Sequence, residues 1–439
     1  MQISALLALV IFIVSFIVIG MLLKVPVSYA LGFSSLIVLA ASGKNLVTVA
    51  QYSFSGIDSF ALLAIPFYIF SGYLMEYSGI SKMLIDWIKS LVGRVRGALG
   101  IITVVASMAF GVLTGSAMAT ITAIGNILAP EMKEENYPPG YIAALLAATC
   151  FLGILIPPSV PGIMYALVSG TKISEIWMAT IGPALIFSIG YMLVNYFRIG
   201  RYQERSIGLG KISTESAMEI FKSTIRAFPA ILMPIIIYGC IYGGVCTVTE
   251  AGALSAVYGI LYFIIVKATK KYDVKVTLWQ CCAIAGSATA VIGLLNAFSV
   301  VAGKAMTLTG ISHYLANSIT STIKTKTGFL IMINVLFLFM GTFMDINATI
   351  LIMTPLLLPA ALTYGITAIH FGTIMLINMC VGFLTPPFAV GIFVGSKIAN
   401  ASFGETVKEA LPFIAVGLVA IIVTTAFPSY IYFFINLFN

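Results

Sequence analysis

Charge is what this sequence lacks. Of its 439 residues only 9% are Asp, Glu, Lys or Arg, while 60% are hydrophobic. A water-soluble globule carries about 25% charged residues, so that class is excluded. Ten-residue strands of alternating polarity are missing too, which excludes a membrane β-barrel. Only two histidines are present, and the six cysteines (Cys150, Cys240, Cys246, Cys281, Cys282 and Cys380) lie inside apolar runs without the spacing of metal ligands. They read as small apolar packing residues. Without clustered His, Asp, Cys or Lys the chain is not expected to be an enzyme. A net charge of +8 would suggest nucleic acid in a soluble protein. Here the bases gather at the ends of apolar runs, where the positive-inside rule places them, and no nucleic acid is expected.

What is present is one uncharged run after another. They lie near 3–23, 25–43, 59–75, 97–130, 136–171, 176–197, 227–249, 251–266, 276–303, 327–344, 346–396 and 410–439. Bilayer hydrocarbon offers backbone N–H and C=O groups no partner, so these runs must be helical and the chain an all-α, multi-pass membrane protein. No Lys or Arg precedes the first run and Lys24 follows it, which marks a retained span rather than a cleaved signal. Basic clusters at Lys82, Lys89, Arg94 and Arg96, at Arg198, Arg201, Arg205, Lys211, Lys222 and Arg226, and at Lys267, Lys270, Lys271 and Lys275 are assigned to the cytoplasm, which leaves the N-terminus outside.

The run 97–130 would be about 50 Å long as one helix, far more than a bilayer of ~30 Å needs. It is therefore read as a re-entrant hairpin turning at Thr114-Gly115-Ser116. Sliding the sequence by 229 residues sets Phe110 on Phe339, Ala119-Thr120-Ile121 on Ala348-Thr349-Ile350, Leu128 on Leu357, Pro130 on Pro359, Gly153 on Gly382, Leu155 on Leu384, Pro157-Pro158 on Pro386-Pro387 and Gly162 on Gly391. A shift of 231 matches Gly72 with Gly303, Met75 with Met306, and Gly79-Ile80-Ser81 with Gly310-Ile311-Ser312. Shared Gly and Pro are not products of apolar bias, so the chain is an internal repeat. The odd number of crossings between equivalent segments makes the two copies inverted. The first repeat spans 1–197, with a surface helix at 78–97, a hairpin at 98–130 and a broken helix at 141–168. A cytoplasmic linker covers 198–226. The second repeat spans 227–439, with a surface helix at 306–327, a hairpin at 328–365 and a broken helix at 370–396.

Each repeat pairs a hairpin tip with a Pro-Pro break: Gly115-Ser116 with Gly153 to Ser159, and Gly341 to Thr349 with Gly382 to Pro387. A proline pair removes two N–H donors, and the carbonyls one turn upstream lose their helical partners. Freed carbonyls can hold a cation, and helix N-terminal ends can face an anion. Asp345 is the one acid between 327 and 396. An intramembrane carboxylate is costly and by default functional; it can hold a cation, carry a proton, orient a substrate or bind tip N–H groups. Glu250 is expected to cap the helix that follows it, Lys304 to snorkel, and His313 and His370 to lie near interfaces without a role.

At these residues the chain resembles the large membrane subunit of the tripartite ATP-independent periplasmic (TRAP) transporters. The resemblance rests on Gly56-Ile57-Asp58-Ser59-Phe60, Leu63-Ala64-Ile65-Pro66-Phe67, Gly79-Ile80-Ser81, Gly115-Ser116, Leu152 to Ser159 and Thr249-Glu250-Ala251. It departs from the family's usual Thr-Pro-Thr-Glu at Thr247-Val248-Thr249-Glu250. The resemblance implies an elevator-type carrier of the ion-transporter superfamily in the bacterial inner membrane. It implies sodium-driven import of an organic acid such as sialic acid or a C4-dicarboxylate, with a small four-helix membrane subunit and a periplasmic binding protein as partners. It further implies one sodium among Gly111, Gly153, Ile156 and Pro158, another among Gly341, Gly382, Thr385 and Phe388, and Ser116, Pro161 and Asp345 facing the substrate. The alternative is a sodium- or proton-coupled carboxylate symporter or antiporter that needs no binding protein.

Overall fold

The computed structural model describes residues 4–92, 97–199, 214–269, 274 and 276–437. Arg94, Arg96, Arg201, Arg205, Lys211, Lys270, Lys271, Lys275 and the middle of the 198–226 stretch lie outside them. Among the described residues every regular element is helical. The first half contains α1 (Ala5–Ile17, extended by a π-helical turn at Val18–Leu22), α2 (Val27–Ala41), α3 (Val47–Ile57) and α4 (Ala64–Tyr77, entered through a 3-10 turn at Phe60–Leu63). It continues with α5 (Ile80–Val92), α6 (Ala98–Thr114), α7 (Ala117–Glu134), α8 (Pro139–Thr149), α9 (Leu152–Leu155), α10 (Val160–Ser169) and α11 (Ile173–Ile199). The second half contains α12 (Thr214–Tyr242), α13 (Val248–Thr269), α14 (Leu278–Leu308), α15 (Ile311–Thr322), α16 (Lys326–Gly341) and α17 (Ile346–Thr363). It ends with α18 (Ala368–Leu384), α19 (Val390–Ala399), α20 (Phe403–Ala426) and α21 (Pro428–Leu437).

Seven described helical stretches are long and apolar enough to cross a membrane, and the pair Pro139–Leu155 and Val160–Ser169, bent by 46°, makes an eighth. Large apolar side chains such as Val14, Ile189, Ile264 and Ile422 are exposed on the outside. That exterior suits hydrocarbon, which imposes no penalty on it.

Two packing groups form. In the outer group α4 packs on α13, and α14 on α2, α3 and α4, while α12 packs on α5 and α13. In the inner group α6 packs on α7 and α9, α16 on α18, α8 on α19 and α20, and α11 on α20 and α21. The halves cross inside it, because α10 lies against α17 and α19 against α7. Each break is thus walled by the other half's hairpin. Gly79 and Gly310 both adopt φ +76°, a left-handed turn open to glycine that ends one helix and starts α5 or α15.

Several boundaries differ from the sequence expectation. Helix α3 falls between runs, started by Asn45, whose Oδ1 accepts from Val47 N at 2.9 Å. It is tied to α14 by Asn296 Nδ2 donating to Gly56 O at 2.5 Å. Helix α14 continues to Leu308, so the interval 306–327 holds the end of a span as well as α15. The stretch 198–226 is helical at both described ends, and Arg198, read as a topology signal, pairs with Glu409 of α20 at 3.0 Å. The last run is two helices, because Pro428 cannot donate to Thr424 O. His370 Nε2 meets that carbonyl at 3.0 Å. With 3% of its surface exposed, His370 is buried against protein in the first turn of α18. Glu250 caps as expected, accepting from Thr247 N and Oγ1 at 2.8 Å each. Lys304 lies 5.0 Å from the Tyr52 ring centre.

At both breaks glycine meets glycine. A Cβ on Gly111 would fall 2.0 Å from Gly153 Cα, and one on Gly382 would fall 2.5 Å from Gly341 Cα. Neither neighbour is a side chain that can swing away. Gly111→Ala is therefore expected to lower the thermal unfolding midpoint of the detergent-purified protein, at a cost of about 1–3 kcal/mol for overpacking. Gly239→Ala, where a Cβ meets nothing within 4 Å, is expected to leave it unchanged or raise it.

Candidate functional site

The two hairpin tips are built differently. The first is two residues long. Gly115 takes φ +59° and donates to Gly111 O at 2.7 Å, and Ser116 is the N-cap of α7, its Oγ accepting from Ala119 N at 3.4 Å. The second runs from Thr342 to Asp345. Asp345 caps α17, Oδ1 accepting from Asn347 N at 2.9 Å and Ala348 N at 3.2 Å. A carboxylate suits the positive end of a helix. At the 229-residue register Ser116 and Asp345 are the same position: a neutral cap in one half, an anion in the other.

Beside each tip runs a break. Pro157 and Pro158 offer no N–H to the carbonyls of Gly153 and Ile154, nor Pro386 and Pro387 to those of Gly382 and Phe383. Both Pro–Pro bonds are cis. Around the first break, Thr180 Oγ1 donates to Leu155 O at 2.6 Å and the Tyr238 hydroxyl of α12 donates to Pro157 O. After it, Ser159 caps α10, its Oγ accepting from Gly162 N at 3.2 Å. A Cβ on Gly115 would stand 3.0 Å from Pro158 O, so the first tip rests on the break. Around the second, Thr385 N donates to Gly382 O at 2.9 Å, and Thr385 Oγ1 to Val381 O at 2.7 Å. The Phe388 ring meets that of Phe343, at the second tip, 6.2 Å between centres.

A cavity of about 500 Å³ opens between these parts. Ser116, Pro161, Asp345 and Gly341 line it together. Gly111, Gly153, Ile156, Pro158, Gly382, Thr385 and Phe388 stand behind the tips and do not line it. The N-terminal ends of α7, α10 and α17 all reach its wall, at Ala117, Val160 and Ile346.

Sequence reasoning missed the opposite wall. Ile69, Gly72, Tyr73 and Glu76 of α4 line the cavity, with Ala288 and Ile292 of α14. The spacing of 69, 72, 73 and 76 is one helical face, a signal present in the sequence but hidden inside an apolar run. Helix α4 comes close there: a Cβ on Gly72 would fall 2.8 Å from Leu113 O. Asn347 was also missed; it lines the cavity, and its Oδ1 is buried without a hydrogen-bond partner.

Residues 12–430 match the family described as "Tripartite ATP-independent periplasmic transporter, DctM component". The chain is 32% identical to the sialic acid TRAP transporter large permease protein SiaM of Vibrio cholerae, over 92% of this chain and 93% of that one. It is 32% identical to the 2,3-diketo-L-gulonate TRAP transporter large permease protein YiaN of Escherichia coli, over 87% and 88%. It is 34% identical to the isethionate TRAP transporter permease protein DctMQ of Oleidesulfovibrio alaskensis over 95% of its own length, but spans only 64% of that protein. Among solved structures, the Alcanivorax borkumensis YdaH transporter superposes with a TM-score of 0.61 at 13% identity, covering 87% of each chain, and supports the fold alone. Such coverage leaves one assignment: the chain belongs to the DctM family of tripartite ATP-independent periplasmic transporters, as a large permease component, a multi-span membrane transport protein and not an enzyme.

Proposed function

We propose that this chain imports an organic acid on a sodium gradient in the bacterial inner membrane, with its N-terminus periplasmic. A periplasmic binding protein delivers the acid, and a small four-helix membrane subunit completes the carrier. One observation carries the reading: in both halves a helix broken at a proline pair is pressed, glycine on glycine, against a hairpin tip, and both tips open into one cavity.

In this reading the substrate's acid group lies at the N-terminal ends of α7 and α10, near Ser116 and Pro161, where helix dipoles favour an anion. One sodium sits behind the first tip among the carbonyls of Gly111, Gly153, Ile156 and Pro158. A second sits behind the other tip among those of Gly341, Gly382, Thr385 and Phe388. Sodium suits oxygen cages of this kind, in which carbonyl dipoles replace a hydration shell. The two halves are inverted copies, and the inner group moves across the outer group to carry the cavity from one side to the other. The relatives' names, sialic acid, diketogulonate, isethionate and C4-dicarboxylate among them, support a small organic anion as the substrate class.

Two outcomes are expected. In proteoliposomes holding this chain and its small subunit, uptake requires both the binding protein and a sodium gradient, and replacing sodium with choline abolishes it; sodium-independent uptake, or uptake by this chain alone, would reject the tripartite reading. Asp345→Asn keeps a good helix cap and removes a charge-assisted bond of about 1.5–3 kcal/mol, so uptake should fall about tenfold or more. The folded yield should stay at the wild-type level, and an unchanged rate would remove Asp345 from the site. Ser116→Ala should reduce uptake less, because it removes a neutral hydroxyl.

A further inference from the structure

Glu76 lines the cavity from α4, in the outer group. Its carboxylate accepts no hydrogen bond and forms no ion pair among the described residues. The 231-residue register that pairs Gly72 with Gly303 and Met75 with Met306 places Thr307 at the matching position of the second half. The repeat architecture therefore does not require an acid there. Asp345 and the unpartnered Oδ1 of Asn347 line the same cavity, and no Lys, Arg or His is among its described lining residues. The cavity thus presents acceptors on two walls. Its donors are all uncharged: the hydroxyls of Tyr73, Thr114 and Ser116, the Asn347 amide and the helix N-terminal ends.

An acid group fits where no carboxylate stands, at the N-terminal ends of α7 and α10 beside Ser116 and Pro161. The far end of the same molecule meets Glu76, Asp345 and Asn347 Oδ1, where a second anion would face like charges in a poorly solvated space. Hydroxyl, amide N–H or ammonium groups would instead give those acceptors the partners they lack.

Resting on the transport reading above, we propose that Glu76 is a specificity-determining residue. Its carboxylate accepts from donor groups on the substrate's remote end, so the permease takes a monoanion rich in hydroxyl or amino groups and discriminates against dicarboxylates.

The test is equilibrium binding to the purified permease with its small subunit, without binding protein, followed by ligand-induced thermal stabilisation. The probes are N-acetylneuraminate, 2,3-diketo-L-gulonate and succinate. In the wild type at least one hydroxylated monoanion should bind about tenfold or more tightly than succinate, since a site built to bond donors rejects analogues lacking them. Glu76→Gln should weaken that ligand and strengthen succinate, closing the gap. Glu76→Asp, with the charge kept, should preserve the order. Succinate binding as tightly as the monoanions, no stabilisation by any probe, or an unchanged order in Glu76→Gln would each overturn the proposal. Sodium-independent binding in the wild-type order would count against the coupling reading and leave this one standing.

Discussion

Everything in the interior follows from interrupting helices where no water can repair the interruption. A proline pair deep in an apolar segment strands carbonyls and helix ends, and each unpaired polar group in hydrocarbon costs several kcal/mol. Protein must therefore enclose the break. At Gly111–Gly153 and Gly341–Gly382 it does so with the smallest residue on both sides, so that backbone meets backbone. The crossing of the halves has the same cause: α10 lies on α17 and α19 on α7, so each interrupted helix is covered by the other half's hairpin. The remaining carbonyls are partly met by hydroxyls, Thr180 on Leu155 and Tyr238 on Pro157.

The two halves meet this constraint with different chemistry. Equivalent cap positions hold Ser116 and Asp345, and the second tip is longer. Where Ser159 caps α10, α19 begins at Ala389 with φ +42°, without a side-chain cap. A repeat made identical would produce a symmetric cavity, equally suited to either end of a ligand. The divergence at the caps makes the two tips chemically unlike where they line the cavity, a neutral hydroxyl at Ser116 and a carboxylate at Asp345.

The breaks and the tips were legible in the sequence because glycine and proline act through the backbone and leave a mark that apolar composition cannot blur. Gly79 and Gly310, with the same φ in both halves, are a second case. Illegible were features that depend on which face an apolar helix turns inward. Helix α3 lies in a stretch too polar for a span, and the end of α14 is indistinguishable by hydropathy from the start of α15. The wall formed by α4 has a helical period, but with apolar residues on every side that period does not stand out until the neighbours are known. The partner of His370 was illegible as well, because the Thr424 carbonyl that Pro428 leaves over lies 54 residues away in sequence.

The ion pairs divide along the same lines. Arg198 and Glu409 join α11 to α20 inside one packing group, at 3.0 Å with side chains only 25% and 20% exposed. Lys89 and Glu131 join α5 to α7, at 2.6 Å with side chains 27% and 38% exposed. A pair this open to solvent contributes at most about 1 kcal/mol, while removing one member of a fully buried pair costs about 3–5 kcal/mol. This ion pair is therefore a weak tie beside the apolar packing of α5 on α6. If the inner group slides as proposed, contacts of this kind must break and reform in every cycle, and a strong bond at that position would hold the carrier in one state.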